Sequence, residues 1–245
     1  MIPANLKAFF QKFLPSAPDS QSTVHAFKGD PNGAQEGIEA DLDIQYIMGV
    51  APGILTEFWE QKSSDFCKDL IAWTALLLAD DDTPKVNSIS YGWQGDMSQL
   101  GCEATEWGEV DANFAKLAAM GISIIFASGD SGSGETGTKL WPSWPASSAW
   151  VTSVGGTRFQ NQDPTQPEMA TDQFGSGGGF SSMIDRSNAT WQESVVTAYL
   201  ASAPKLPPAS YYTPTGRATP DVSGLGEGYQ VFVSPSGAPE SVGGT

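Results

Sequence analysis

Glu39 and Asp43 stand four residues apart in GIEADLDIQYIMG (residues 37–49). At helical spacing both fall on one face. Two ionised carboxylates held close repel. One reading is therefore a solvated acidic face, and the other is a pair that shares a proton. In such a pair one carboxyl titrates higher and acts as a base while its neighbour orients it. Asp41 lies between them and points elsewhere. Asp130 is the next candidate, in SGDSGSG (128–134) directly after the apolar run ISIIFA (122–127). Functional groups of open α/β sheets collect at the carboxyl ends of strands, and glycines there let the backbone approach a ligand. The plainer alternative is a glycine-rich turn capped by Asp130. A third candidate is SVGGT (241–245), a turn after a strand of the kind that leads into a helix.

The string GDSG (129–132) suggests Ser131 as a nucleophile of the trypsin type, but the surrounding pattern excludes it. The single histidine, His25, has no identifiable orienting partner. Alternating helices and buried strands contradict a double β-barrel. A G-x-S-x-G elbow needs glycine at position 133, where serine stands. One histidine also disfavours a histidine-based metal site. GSGGGF (175–180) lacks the spacing and the following helix of a dinucleotide fingerprint, and no P-loop occurs.

These groups must be positioned by an α/β framework. The N-terminal segment predicts a short amphipathic helix with Leu6, Phe9, Phe10 and Phe13 on one face. Residues 15–35 are polar and read as a loop. Ile38, Leu42 and Gln45 keep helical spacing, and Tyr46–Val50 then turns strand-like before Pro52. Phe66, Leu70, Trp73 and Leu77 mark an amphipathic helix over 66–80, and Trp107, Val110, Phe114 and Leu117 mark another over 107–120, stopped by Gly121. VNSISY (86–91) alternates as a strand, and ISIIFA suits a strand buried on both faces of a parallel sheet. A further strand is expected at Ala149–Val154, loops over 156–190, a helix from about Thr190 to Ala201, and strands near Asp221–Ser223 and Tyr229–Val233. Strands alternating with helices predict an α/β fold with a parallel sheet. With no repeat and no linker composition, residues 1–245 read as one domain.

Acidic residues outnumber basic ones by 28 to 12 in 245 residues, a formal charge of −16. Such a surface repels a phosphate backbone and an anionic membrane, so neither nucleic acid nor membrane is an expected partner. Solubility explains the acidity. So does work in acid, where carboxylates neutralise and few cations accumulate. No apolar run of about 18 residues is present to span a bilayer. Cys67 and Cys102 either pair or are two buried thiols.

Five segments resemble the sedolisins in order: GIEADLDIQYIMG, FASGDSGSG (126–134), WPASSAWVTSVGGT (144–157), SGGGFS (176–181) and GRATPDVSGLGEGY (216–229). The likeness runs from about residue 36 onward and is greatest to the tripeptidyl-peptidase branch. It implies a subtilisin-like fold, a parallel sheet flanked by helices, and peptide cleavage in acid by a Ser-Glu-Asp triad, as tripeptidyl-peptidase or endopeptidase. Glu39 then matches the general base, Asp43 the aspartate that orients it, and Asp130 the oxyanion-site aspartate. The nucleophilic serine is expected just after Thr245, and calcium ligands beyond residue 245. The chain itself is expected to hold no cofactor. These residues would form part of a catalytic domain, incomplete at both ends and inactive by itself. The resemblance further implies a peptide or unfolded-protein substrate, a monomer, a propeptide in the parent protein, and a lysosomal, vacuolar or secreted location with its targeting segment elsewhere. That setting favours pairing of Cys67 with Cys102, and suits the sequon Asn188-Ala189-Thr190. The competing expectation is a non-catalytic subtilisin-like binding module, or a defective pseudoenzyme, with purely structural acids.

Overall fold

The computed structural model describes residues 1–29, 37–61 and 65–245. Its helices are α1 (Pro3–Phe13), α2 (Ile38–Val50), α3 (Phe66–Ala79), α4 (Ala104–Ala119) and α5 (Glu193–Ser202). Its strands are β1 (Ala26–Gly29), β2 (Glu57–Glu60), β3 (Val86–Ile89), β4 (Ser123–Ala127), β5 (Glu135–Thr136), β6 (Lys139–Leu140), β7 (Thr152–Phe159), β8 (Glu168–Ala170), β9 (Gly179–Asp185), β10 (Gly216–Thr219), β11 (Val222–Leu225), β12 (Tyr229–Val231) and β13 (Glu240–Val242). They divide into two compact units. One is Met1–Ser64 with Gly228–Gly243, and the other is Asp65–Glu227 with Gly244–Thr245.

In the larger unit β11, β7, β4 and β3 form a parallel sheet in that order, with β8 antiparallel on β7. Ile125 of β4 pairs with Ser88 of β3 and with Thr152 of β7, and Val154 pairs with Val222 of β11. This is the α/β, subtilisin-like arrangement expected from the alternating pattern. On β4, Ile124 and Phe126 are buried while Ser123 is exposed, so the strand alternates rather than burying both faces. Phe126 stacks on Phe114 of α4 (ring centroids 5.7 Å apart), and Phe114 meets Trp73 of α3 at 6.5 Å. Full burial of such a ring contributes about 1.5–3 kcal/mol.

Both helices in this layer are well capped. The Asp65 carboxylate accepts from the Lys68 amide at 3.1 Å. Glu103 and Glu106 form a reciprocal capping box on α4. Gly121 adopts φ +75°, the left-handed conformation expected just past a helix end. Cys67 and Cys102 are joined by a disulfide, with Cα atoms 5.6 Å apart and no exposure at either residue. It ties the start of α3 to the residue before the α4 cap.

The smaller unit packs Leu6, Phe9 and Phe10 of α1 against Ile44 and Met48 of α2, with Phe232 in the same cluster. Phe13, expected on the α1 face with them, is 42% exposed. The strand expected at Tyr46–Val50 is instead the last part of α2, which runs unbroken to Val50. A Cβ on Gly49 would lie 2.8 Å from the Phe9 ring, so glycine lets α1 close on the helix. The polar segment after α1 carries a 3₁₀ turn (Asp19–Ser22) and β1 as well as loop. Residues 30–35 of the expected loop lie outside the described residues. β8 and β9 fall in the expected loop region 156–190, and β7 begins three residues later than the strand expected from Ala149.

Candidate active site

Glu39 and Asp43 both lie on α2, one turn apart as their spacing requires. Three ties fix the rotation of that helix. Asp41 is buried and accepts from Asn5 Nδ2 at 2.9 Å and from the Ile2 amide at 3.3 Å. The buried Gln45 carboxamide clasps one distant residue, donating to the Phe232 carbonyl at 2.8 Å and accepting from its amide at 2.9 Å. The Tyr46 hydroxyl accepts from the Gln230 amide at 2.8 Å. Each residue turns an α-helix by about 100°, so positions two before and two after Asp41 point to the opposite side. Inward Asp41 and Gln45 thus turn Glu39 and Asp43 outward, with Glu39 exposed and Asp43 half-buried. Glu39 also occupies the first turn, where the helix dipole favours a carboxylate.

Asp130 follows β4 in the larger unit, on the loop at the carboxyl end of that strand. Its surroundings are built from backbone. Gly177 donates to the Gly129 carbonyl at 2.6 Å, Gly132 to the Gly175 carbonyl at 2.7 Å, and Gly175 to the Asp130 carbonyl at 3.1 Å. A Cβ on Gly177 would collide with the Ser128 carbonyl, so glycine at 177 is explained by this close approach. On the other side, Gln94 Nε2 donates to the Gly132 carbonyl at 3.0 Å and to the Trp141 carbonyl at 3.3 Å. The loop is therefore clasped from two directions.

Thr245 completes this cluster. Its amide and its hydroxyl each lie 3.0 Å from Asp130 Oδ1, and the Gly129 amide donates to the same hydroxyl at 3.1 Å. Gly244 donates to the Gly226 carbonyl at 3.0 Å, which anchors this segment just past β11. The SVGGT turn thus closes on the SGDSG loop, a contact that neither motif announces by itself. Ser131 is exposed and bridges Gly175 through its backbone, as a loop residue rather than a nucleophile on a helix. His25 is exposed in the smaller unit, its amide donating to the Thr56 carbonyl at 2.8 Å.

Sequence reasoning missed three charged residues of the larger unit. Arg217 is completely buried and donates to the carbonyls of Ala218 (2.6 Å) and Val151 (3.2 Å) and to Asp221 Oδ2 (2.5 Å). Asp221 also accepts from the Ser153 amide at 2.8 Å and from Gln192 at 2.9 Å. Burial pulls the Arg217 guanidinium below its ordinary value, and the charge of Asp221 offsets part of that. Asp111 of α4 accepts from the Ser148 hydroxyl at 2.5 Å, and burial pushes its carboxyl above the usual aspartate range. Among the described residues, no group of three or more His, Cys, Asp or Glu is placed to hold a metal ion. No described helix is long and apolar enough to cross a membrane.

No family model matches the chain. Tripeptidyl-peptidase 1 of Bos taurus is 38% identical over 219 residues, covering 86% of this chain and 37% of that protein. The Homo sapiens tripeptidyl-peptidase 1 is 37% identical over the same extent. The Rattus norvegicus protein is 35% identical over 230 residues, 91% of this chain and 39% of its own. The chain thus spans a little over a third of the length of these relatives. Pseudomonas sedolisin, a serine-carboxyl proteinase solved with two molecules of pseudo-iodotyrostatin, superposes with a TM-score of 0.64 at 23% identity, covering 98% of this chain and 67% of that one. Sequence likeness to the tripeptidyl-peptidases and a shared fold with sedolisin agree with the ordered motifs: this chain belongs to the sedolisin family, on its tripeptidyl-peptidase branch.

Proposed function

We propose that these residues supply the base and the oxyanion site of a serine-type peptidase that acts in acid, as a tripeptidyl-peptidase or an endopeptidase. In this reading Glu39 takes the proton of a serine hydroxyl and Asp43 orients it. A carboxylate suits that task where histidine would already be protonated. Asp130, in its neutral acid form, donates a hydrogen bond to the oxyanion that develops on the scissile carbonyl. The substrate is a peptide or an unfolded protein. A lysosomal or secreted location agrees with the disulfide, which persists in oxidising compartments.

The observation that carries the reading is the tie between Thr245 and Asp130. The residue after Thr245, which the family resemblance makes the nucleophile, leaves from a point hydrogen-bonded to the oxyanion aspartate. A hydroxyl delivered there meets the donor its reaction needs.

The test is to express the protein from its full coding sequence and assay a fluorogenic tripeptide and an internally quenched longer peptide from about pH 3 to pH 7. Hydrolysis in acid that falls at least about 10²-fold in kcat in Asp130→Ala, which removes the donor, is the expected result. No hydrolysis, or turnover indifferent to Asp130→Ala, would overturn the reading.

A further inference from the structure

We infer that Thr245 decides which oxygen of Asp130 carries the proton, and so aims the oxyanion donor; this rests on the peptidase reading above. An amide N–H can only donate. The Gly129 amide therefore occupies a lone pair of the Thr245 hydroxyl (3.1 Å), and the hydroxyl hydrogen is directed to Asp130 Oδ1 (3.0 Å). The Thr245 amide donates to the same oxygen (3.0 Å). A carboxyl oxygen offers two lone-pair directions. Both directions at Oδ1 receive hydrogens from Thr245, so a third hydrogen has no place there. Oδ2 has no hydrogen-bond partner among the described residues. It lies over Gly244, where an added Cβ would come within 3.4 Å of it. A protonated Asp130 therefore bears its hydrogen on Oδ2, and the hydroxyl of the acid points away from Thr245.

The consequence for catalysis is preorganisation. A neutral carboxylic acid in a symmetric setting divides its hydrogen between two oxygens, and one of the two forms donates in the wrong direction. Thr245 removes that ambiguity before substrate arrives, which is how a fixed donor lowers a barrier without reorganising. Thr245 is a positioning residue, acting on the reacting atoms through Asp130. Serine at this position keeps both donors, whereas valine keeps the amide and the shape but loses the hydroxyl.

Two measurements separate this inference from the peptidase reading. Neutron diffraction of deuterated crystals grown in acid reads the proton directly. Deuterium on Asp130 Oδ2 is expected, and deuterium on Oδ1, or none on either oxygen, overturns the inference whether or not the protein hydrolyses peptides. Kinetics of the protein expressed from its full coding sequence give the second readout. Thr245→Val should lose on the order of 10-fold or more in kcat with little change in KM. Thr245→Ser should restore kcat. A Thr245→Val enzyme with wild-type kcat refutes the inference while leaving the peptidase reading intact. An inactive wild-type protein with deuterium on Oδ2 has the opposite meaning.

Discussion

Arg217 and Asp221 are joined across a single turn of chain, and the guanidinium of Arg217 has no exposed surface at all. Asp221 in turn holds the Ser153 amide, and the Asp221 amide donates to the Ser153 carbonyl at 2.9 Å, so the pair locks β11 onto β7 where that pairing begins. Removing one partner of a buried pair strands the other charge. Arg217→Ala should therefore lose about 3–5 kcal/mol of unfolding free energy. Replacing both residues by apolar ones of similar volume should recover only part of it, because the Ser153 amide and Gln192 lose their acceptor. Urea denaturation of the three proteins checks this, and an Arg217→Ala loss under about 1 kcal/mol would contradict it.

The disulfide restrains the unfolded chain. Cys67 and Cys102 are 35 residues apart, and closing a loop of that size corresponds to about 4 kcal/mol by chain entropy. Denaturation midpoints with and without reductant, and of the Cys67→Ala/Cys102→Ala double variant, should show a loss of that order. Equal midpoints would mean that the α3–α4 contact holds without the covalent tie.

Asp111 gives stability a pH dependence of known sign. An aspartate in the unfolded chain titrates near about 3.9. Burial raises the folded value. The contribution is thus fully present below the unfolded value and is lost as pH rises through the higher folded value. Asp111→Asn, which does not ionise, should flatten the decline in melting temperature as pH rises above about 4. Parallel melting curves for the two proteins across that range would exclude the effect.

Glu39 and Asp43 should affect activity far more than stability, because both face away from the packed side of α2. Glu39→Gln should cost on the order of 10²–10⁴ in kcat, with a helix-dipole share of about 0.3–1 kcal/mol in folding free energy. Asp43→Asn should also lower kcat and move the acid limb of the pH profile. Measuring turnover and denaturation on the same preparations settles the point. A stability loss large enough to explain the activity loss would make these acids structural.

Several elements were legible because one physical signal dominated each. Phe66, Leu70, Trp73 and Leu77 carry α3, and Trp107 to Leu117 carry α4 up to its glycine stop. Tyr46–Val50 misled because Tyr, Ile and Val favour strands, a local preference outweighed by ties from Gln45 and Tyr46 to residues near 230. β9 was hidden behind glycines whose backbone contacts residues 128–132, and β8 is a three-residue strand too short to leave a pattern. The placement of Glu39 and Asp43 one turn apart on a helix was legible from spacing, but the pairing of Thr245 with Asp130 joins residues 115 apart and leaves no local pattern. Arg217 and Asp221 carried the spacing of an ordinary surface pair, and nothing in their types distinguishes a buried one.

The Gln45–Phe232 clasp also sets a schedule. Its partners are 187 residues apart, and at about 5–20 residues per second a ribosome needs roughly 10–40 s to travel between them. For that interval α1 and α2 can associate, but the inward face of α2 lacks the backbone it is built to grip. The Asp41 ties to Ile2 and Asn5 can form at once, and the Gln45 and Tyr46 ties are added only when the 228–243 span arrives. The grip that holds Glu39 and Asp43 outward is therefore completed in two stages during synthesis.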